Sequence, residues 1–138
     1  MGFKVEAYVD GSYNAATGVY GSGLVALVNC KQYTHFSSGN DPAMSAMRNV
    51  AGEIVAAVQA VELCKKLPGV EELVIYHDYE GVANWVTGKW RAKNICTQSY
   101  VAAMKVDFPI RFVHVKAHTG NYHNEMADQL AKKGAGVT

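Results

Sequence analysis

Four acidic residues have the chemistry for a metal site, although they lie far apart in the sequence: Asp10, Glu53, Asp78 and Asp128. Asp10 ends one apolar run and Asp78 closely follows another, while Glu53 and Asp128 lie in helical patterns, each four residues after an asparagine. Carboxylates are rarely buried unless they are paired or bind a metal ion. If the four converge, they make a hard-oxygen site for Mg²⁺ or Mn²⁺. Two such ions ~3.5–4 Å apart support hydrolysis of phosphodiesters.

Each acid also has a simpler explanation when it is considered alone. The segment 10–12 (Asp-Gly-Ser) is typical of a hairpin or an Asx turn. Glu53 is compatible with a solvated helix position, Asp78 with the N-cap of a following helix, and Asp128 with an exposed helical acid. The combination of the four residues favours a shared metal site over four independent explanations.

The overall composition is that of one soluble globular domain, and we expect residues 1–138 to form it. About 49% of the chain is apolar, which is enough for a core. The formal net charge is +1, so nucleic-acid binding would need a local basic patch. The apolar runs are too short for a membrane span, and the first residues enter a strand pattern rather than a signal peptide. We therefore expect a cytoplasmic protein that does not contact membranes.

The cysteines of the chain are widely spaced and include no C-x-x-C pair: Cys30, Cys64 and Cys96. An odd number of scattered cysteines is typical of reduced thiols in the cytosol. We therefore expect them to pack as small apolar residues rather than to act as nucleophiles.

Hydrophobic periodicity predicts nine elements in the order β-β-β-α-β-α-α-β-α. The predicted strands are alternating or apolar runs at residues 4–10, 22–28, 32–36, 72–76 and 110–115. The predicted helices span residues 45–66, 81–86, 97–105 and 121–133, and Gly134 is expected to end the last one. This order predicts an α/β fold with a mixed sheet, in which a three-stranded antiparallel meander is followed by two strands parallel to the first.

The predicted sheet would bring two of the four acids together. Ligands of α/β sheets bind at the carboxyl ends of the parallel strands. Asp10 and Asp78 follow the first and the fourth strand, which we expect to be neighbours. Glu53 is expected to face the same edge from the long helix, and Asp128 lies on the last helix one turn after Asn124.

Five segments of the chain resemble motifs of type-one ribonuclease H. Residues 8–12 (Tyr-Val-Asp-Gly-Ser) resemble its first-strand motif, residues 49–53 (Asn-x-x-x-Glu) resemble its first-helix motif, and residues 76–78 carry its third acid. The most specific segments, 113–120 and 124–131, are similar to the signature V-K-G-H-x-G followed by N-E-x-A-D-x-L-A. The resemblance covers nearly the whole chain, with the motifs in the family's order.

The resemblance implies a ribonuclease H-like fold, with a five-stranded mixed sheet flanked by helices. It also implies an endonuclease that hydrolyses the RNA strand of RNA–DNA hybrids and leaves 5′-phosphate and 3′-hydroxyl ends. The family uses two Mg²⁺ ions per site, with Mn²⁺ as a substitute. The partner is then the hybrid itself, and no obligatory protein partner is inferred.

Carried over to this chain, the resemblance assigns the metal ligands and catalytic residues to Asp10, Glu53, Asp78 and Asp128. His118 would assist proton transfer or product release, since a neutral imidazole does this near neutral pH. Without the surrounding signature, His118 would be an ordinary histidine of a surface loop. The histidines outside any such motif receive no role: His35, His77, His114 and His123.

Substrate recognition is expected from small polar groups in the minor groove of the hybrid, where 2′-hydroxyls mark the RNA strand. The candidates are Gly11, Ser12, Asn14, Asn49 and Glu80. Asn124 is a further candidate, with capping of the last helix as the alternative.

A short basic segment is expected to hold the phosphates of the DNA strand. It combines cations with an aromatic ring at Lys89, Trp90, Arg91 and Lys93. The alternative is a solvated loop, with Trp85 in the core.

Some positions depart from the family pattern, and two other functions remain open. Tyr79 follows Asp78 where the family usually has Ser, and Ala117 replaces a usual Gly. The segment between Asp78 and the fifth strand is short, so the basic handle helix of some members is absent or reduced. The alternatives are a nuclease of the same fold that acts on another nucleic acid and a non-catalytic hybrid-binding domain. Four intact acids argue against the second, because clustered negative charge repels phosphates.

Overall fold

A computed structural model describes residues 2–116 and 120–137 of the chain. Five strands are present in this part of the chain: β1 (Phe3–Asn14), β2 (Val19–Val28), β3 (Lys31–Gly39), β4 (Val70–His77) and β5 (Ile110–His114). The helices are α1 (Pro42–Ser45), α2 (Asn49–Lys65), α3 (Gly81–Thr87), α4 (Ile95–Ala103) and α5 (Tyr122–Ala135).

The strands form one mixed sheet in the order β3-β2-β1-β4-β5. β1, β2 and β3 pair antiparallel, whereas β4 is parallel to β1 and β5 is parallel to β4. This topology confirms the predicted α/β fold with its antiparallel meander and its parallel strands. β1 and β4 are neighbours, as predicted, so their carboxyl ends lie side by side.

Two helices cover opposite faces of the sheet because side chains alternate along a strand. Val5, Ala7 and Val9 of β1 belong to the larger core cluster, which includes the buried face of α2. Tyr8, on the other face, packs with Val25 and with Ala127 of α5. α5 contacts β1, β2 and β3, so the antiparallel half of the sheet is sandwiched between α2 and α5.

The first strand is longer than its sequence pattern predicts. Residues 11–14 were expected to form a turn after Asp10, but β1 continues and pairs with β2 as far as Asn14, opposite Val19. The expectation that Asp10 ends the strand is therefore wrong. Only the parallel pairing with β4 stops earlier, at Tyr8 opposite Tyr76. Asp10 consequently lies at the point where the parallel half of the sheet ends and the antiparallel meander of β1, β2 and β3 continues.

The helix predicted over residues 45–66 is two helices in the structure. Pro42 occupies the first turn of α1, where its missing N–H costs nothing, and Asp41 caps that turn by accepting from the Ala43 amide. Arg48, with a φ of 58°, separates α1 from α2. The left-handed backbone at Arg48 interrupts the helical path, so α2 starts at Asn49, one turn before Glu53.

The last helix also ends later than predicted. Gly136, not Gly134, carries the left-handed C-cap of α5, with a φ of 74°. Gly134 is buried in the helix against β3, where an added Cβ would overlap the carbonyl oxygen of Ser37. The glycine that was predicted to stop the helix instead allows the helix to pack closely on the strand.

The cysteines are free, but they are not equivalent. Cys64 is buried in the core, which is the packing position that the sequence predicted. Cys30 is exposed and Cys96 is half-buried, so the packing prediction is wrong for Cys30.

α4 begins at Ile95, two residues before the predicted helix start, and a capping box forms its N-terminus. Asn94 Oδ1 accepts from the Thr97 amide at 2.8 Å, and Thr97 Oγ1 accepts from the Asn94 amide at 3.4 Å. We expect Asn94→Ala to lower the free energy of unfolding by about 1 kcal/mol, because the Thr97 amide at the helix end loses its acceptor. Thermal denaturation measures the change. Asn40→Ala, at an exposed position between β3 and α1, is the control, and an equal loss in both variants would contradict the capping role.

Candidate metal centre

Three acids converge at the carboxyl ends of β1 and β4. Asp10, Glu53 and Asp78 each offer a carboxylate oxygen, and these oxygens lie within 4.8 Å of one another. Asp10 and Glu53 are 6% and 1% exposed, and Asp78 is half-buried. These side chains come from three separate elements or their ends, so the cluster exists only in the folded chain.

A pair of stacked tyrosines lies two residues before Asp10 and Asp78. Tyr8 and Tyr76 are opposite each other in the β1–β4 register, and their rings stack at 4.4 Å with an interplanar angle of 9°. Asp10 follows Tyr8 by two residues within β1, so alternation places its side chain on the face of Tyr8. Asp78 follows Tyr76 by two residues and lies in the turn just after β4. The repeated Tyr-x-Asp pattern therefore marks the two neighbouring strand ends at which the carboxylates meet.

Glu53 reaches the cluster because α2 lies directly on β1. An added Cβ at Gly11 would overlap the Asn49 carbonyl oxygen and the Glu53 amide. Ser22 of β2 also holds the helix, donating to the Gly52 carbonyl oxygen at 2.8 Å. This close approach buries Glu53, so the alternative of a solvated helix residue is wrong.

The electrostatics of the cluster favour a bound cation. Burial, followed by the charge of Asp78, raises the pKa of Asp10 to about 8. Burial also raises the pKa of Glu53 well above its ordinary value, with a hydrogen bond and the charge of Asp78 as further causes. Without a cation, burial and mutual repulsion therefore favour the protonated forms of these acids. A divalent ion that prefers oxygen ligands replaces those protons, so the donor set fits Mg²⁺ or Mn²⁺.

Asp128 contacts the cluster from α5 but stands outside the trio. It hydrogen-bonds with Asp10 and contributes to the raised pKa of that residue. Its Oδ2 also lies 3.1 Å from Lys132 Nζ, one turn further along the helix. Its side chain is 18% exposed, so the alternative of an exposed helical acid is wrong.

The turn after β4 is fixed by hydrogen bonds on both sides of Asp78. His114 Nε2 donates to the Asp78 carbonyl oxygen at 2.9 Å, and His77 Nδ1 donates to the Tyr79 carbonyl oxygen at 2.9 Å. The Tyr79 amide donates to Glu53 Oε2 at 3.0 Å. The alternative of Asp78 as a helix cap is wrong, because Glu80 occupies the N-cap position of α3 and makes no side-chain capping bond.

Comparison with known proteins identifies the fold and the family. The family model described as RNase H matches residues 3–136. The chain belongs to the ribonuclease H family. It is 31% identical to a protein named Ribonuclease H from Caulobacter sp. (strain K31), over 95% of this chain and 89% of that protein.

Solved ribonuclease H structures share this fold. The RNase H1 of Halobacterium salinarum NRC-1 superimposes with a TM-score of 0.70 at 20% identity, over 96% of this chain and 97% of that one. An RNase H1 isolated from compost superimposes with a TM-score of 0.74 at 20% identity, over 96% of each chain. Together with the family match, these comparisons make the chain a nuclease of the ribonuclease H type.

The ribonuclease H signature of this chain includes His118 and Asn124. His118 lies outside the described residues. Asn124 is buried at the start of α5, but it does not cap the helix, because Asn121 occupies the N-cap and accepts from the Asn124 amide at 2.9 Å. Among the described residues, Asn124 Oδ1 is buried without a hydrogen-bond partner. The capping alternative is therefore wrong, and a role in substrate binding stays a prediction.

The other predicted substrate contacts lie on separate elements around the ribonuclease H site. Ser12 and Asn14 continue β1 beyond Asp10, and Asn49 begins α2. Asn14 Oδ1 accepts from the Ala16 amide at 3.0 Å, so it also shapes the β1–β2 turn. Glu80 is exposed at the start of α3. Their contact with a substrate stays a prediction.

The basic segment follows α3, and its tryptophan belongs to an aromatic cluster. Lys89, Trp90, Arg91 and Lys93 are all exposed. Trp90 packs against Trp85 and Tyr79, with ring centroids 5.8 and 6.0 Å away. Trp85 is half-buried against the core, as its alternative explanation predicted. Tyr79, a departure from the family pattern, thus links the cluster to the turn that carries Asp78.

Proposed function

We propose that the chain is an endonuclease that hydrolyses the RNA strand of RNA–DNA hybrids with two divalent metal ions, leaving 5′-phosphate and 3′-hydroxyl ends. The observation that carries the proposal is the clustered trio of Asp10, Glu53 and Asp78 on a ribonuclease H fold. Relatives named Ribonuclease H support the choice of substrate.

The proposed metal ligands are the trio together with Asp128. When bound, Mg²⁺ or Mn²⁺ supplies activation of water and stabilisation of the leaving oxygen. The protein's own contribution is to hold the carboxylates in place before the substrate arrives, through the Tyr8–Tyr76 stack and the packing of α2 on Gly11. His118 is proposed to transfer a proton or to assist product release.

The proposed substrate contacts distinguish the two strands of the hybrid. Small polar groups on β1 and at the start of α2 are proposed to contact the RNA strand, at Gly11, Ser12, Asn14 and Asn49, with Glu80 and Asn124 as further contacts. The segment with Lys89, Trp90, Arg91 and Lys93 is proposed to hold the DNA strand by charge and ring packing.

The described helices are too short or too polar to cross a membrane.

Cleavage of four labelled substrates tests the proposal: an RNA–DNA hybrid, single-stranded RNA, double-stranded RNA and duplex DNA. We expect cleavage of the RNA strand of the hybrid with Mg²⁺ or Mn²⁺, and no cleavage in EDTA. Mapping the product ends should give 5′-phosphates and 3′-hydroxyls. Equal cleavage of RNA with and without its DNA complement would contradict hybrid specificity, and cleavage in EDTA would contradict the metal requirement.

A further inference from the structure

We infer that His114 is a positioning residue of the metal centre, which holds the backbone of Asp78 in place. The inference rests on the proposed metal site but not on the identity of the substrate. It starts from one contact: His114 Nε2 lies 2.9 Å from the Asp78 carbonyl oxygen. A carbonyl oxygen only accepts, so the imidazole donates.

The register of β4 and β5 places His114 beside Asp78. His77 and His114 are opposite each other in the β4–β5 pairing, at the last pair of the two strands. The Val115 amide donates to the His77 carbonyl oxygen at 2.7 Å, which continues the ladder for one more bond. Beyond that bond the chain leaves β4 at Asp78, and the His114 side chain donates to the Asp78 carbonyl oxygen. His114 therefore extends the hydrogen bonding between β5 and β4 beyond the strand, to Asp78 itself.

The peptide that His114 holds also orients a second ligand. The Asp78 carbonyl belongs to the peptide group whose N–H is that of Tyr79, and this N–H donates to Glu53 Oε2 at 3.0 Å. One peptide plane thus accepts from His114 on one side and donates to Glu53 on the other. Rotation of this plane would move the backbone of Asp78 and release Glu53 together. A single bond to His114 therefore couples the positions of two of the three clustered carboxylates.

His77 supports the same turn from inside the protein. It is 2% exposed, donates to the Tyr79 carbonyl oxygen and packs edge-on against Phe112 at a centroid distance of 5.9 Å. Its ring also meets that of His114 edge-on at 5.7 Å, which limits the orientations that His114 adopts. His114 is the better residue to test, because it is exposed and its replacement leaves the core intact.

Two replacements of His114 separate positioning from general stability. His114→Ala removes the donor, whereas His114→Gln keeps an N–H at a reach similar to that of Nε2. Mg²⁺ titration of the ¹⁵N-labelled protein without substrate, followed at the Glu53 and Tyr79 amides, measures metal affinity directly. We expect about tenfold weaker binding in His114→Ala, the usual cost of losing a group that orients metal ligands. His114→Gln should restore most of the affinity, and His35→Ala, on the edge strand β3, should bind as the parent protein does.

Hybrid cleavage gives a second, independent readout. In His114→Ala we expect a lower kcat at limiting Mg²⁺ that recovers at high Mg²⁺, with the KM for the hybrid unchanged. Parental Mg²⁺ affinity in His114→Ala, or equal losses in the Ala and Gln variants, would overturn the positioning role. If the parent protein fails to cut hybrids but His114→Ala still weakens Mg²⁺ binding, the positioning role stands and the proposed substrate is wrong.

Discussion

Replacing Asp10 by asparagine should abolish cleavage and stabilise the metal-free protein. Asp10 belongs to the trio and also contacts Asp128. Losing one ligand charge at a site that stabilises the transition state by several kcal/mol should lower the cleavage rate at least about a thousandfold. Cleavage of a labelled hybrid under saturating Mg²⁺ measures this loss.

The expected gain in stability follows from the raised pKa of Asp10. Burial and the charge of Asp78 raise it to about 8 in the folded protein, from an ordinary 3.8. Between these two pKa values, the folded state therefore holds a proton that the unfolded state has released. The part of the parent protein's stability that depends on this carboxyl is fully present below pH ~4 and is lost as the pH rises towards ~8. The asparagine side chain of the Asp10→Asn variant carries no such charge at any pH. We therefore expect the variant to exceed the parent in free energy of unfolding by a growing amount across that range.

Metal and pH supply the controls for this prediction. Chemical denaturation of both proteins at about pH 5 and about pH 9 in EDTA, on either side of the raised pKa, should show a larger difference in the alkaline buffer. Added Mg²⁺ should stabilise the parent in that buffer more than it stabilises Asp10→Asn, because the parent binds the ion better. Cleavage at the parental rate, or a variant that is less stable than the parent in the alkaline buffer, would count against a shared carboxylate site.

The second large effect is expected at Gly11, where replacement by alanine should damage stability and metal binding together. The added Cβ would overlap the Asn49 carbonyl oxygen and the Glu53 amide, both of which are backbone groups of α2. Since neither strand nor helix can yield locally, the helix must move away from β1. We expect the free energy of unfolding to fall by about 3 kcal/mol and the melting temperature by roughly 10 °C.

Gly18→Ala is the matched control for that experiment. Gly18 has a φ of +77° in the β1–β2 turn, and an added Cβ there meets nothing within 4 Å. Its replacement should therefore cost only the backbone strain of about 1 kcal/mol. Gly11→Ala should in addition weaken Mg²⁺ binding, because Glu53 moves with the helix. Equal destabilisation by both replacements would show that α2 does not depend on the missing side chain at Gly11.

Local sequence signals predicted most of the architecture because each depends on neighbours along the chain. The helical and strand periodicities placed β1 beside β4, and that pairing is what brings Asp10 towards Asp78. The same local signals failed at residues 11–14, which have turn-forming composition but pair with β2. Pairing across the sheet outweighs local propensity at such positions.

The contacts of the histidines could not be predicted, for a different reason. His77 and His114 are brought together by the register between β4 and β5. Register depends on the whole sheet, and a shift by one residue would turn His114 to the other face. Nothing in the sequence around either histidine marks it. By contrast, the Tyr-x-Asp repeat is visible in the sequence, but only the structure shows that its two tyrosine rings stack.

The packing of α5 across β1, β2 and β3 has a consequence for biosynthesis. A growing chain emerges from the ribosome with its N-terminal part first. The trio of Asp10, Glu53 and Asp78 can thus be translated before α5, but Asp128 and the cover of the sheet arrive only with α5. A partly synthesised chain would therefore carry an incomplete centre. Docking of α5 therefore brings Asp128 to the trio and completes the proposed set of four carboxylates.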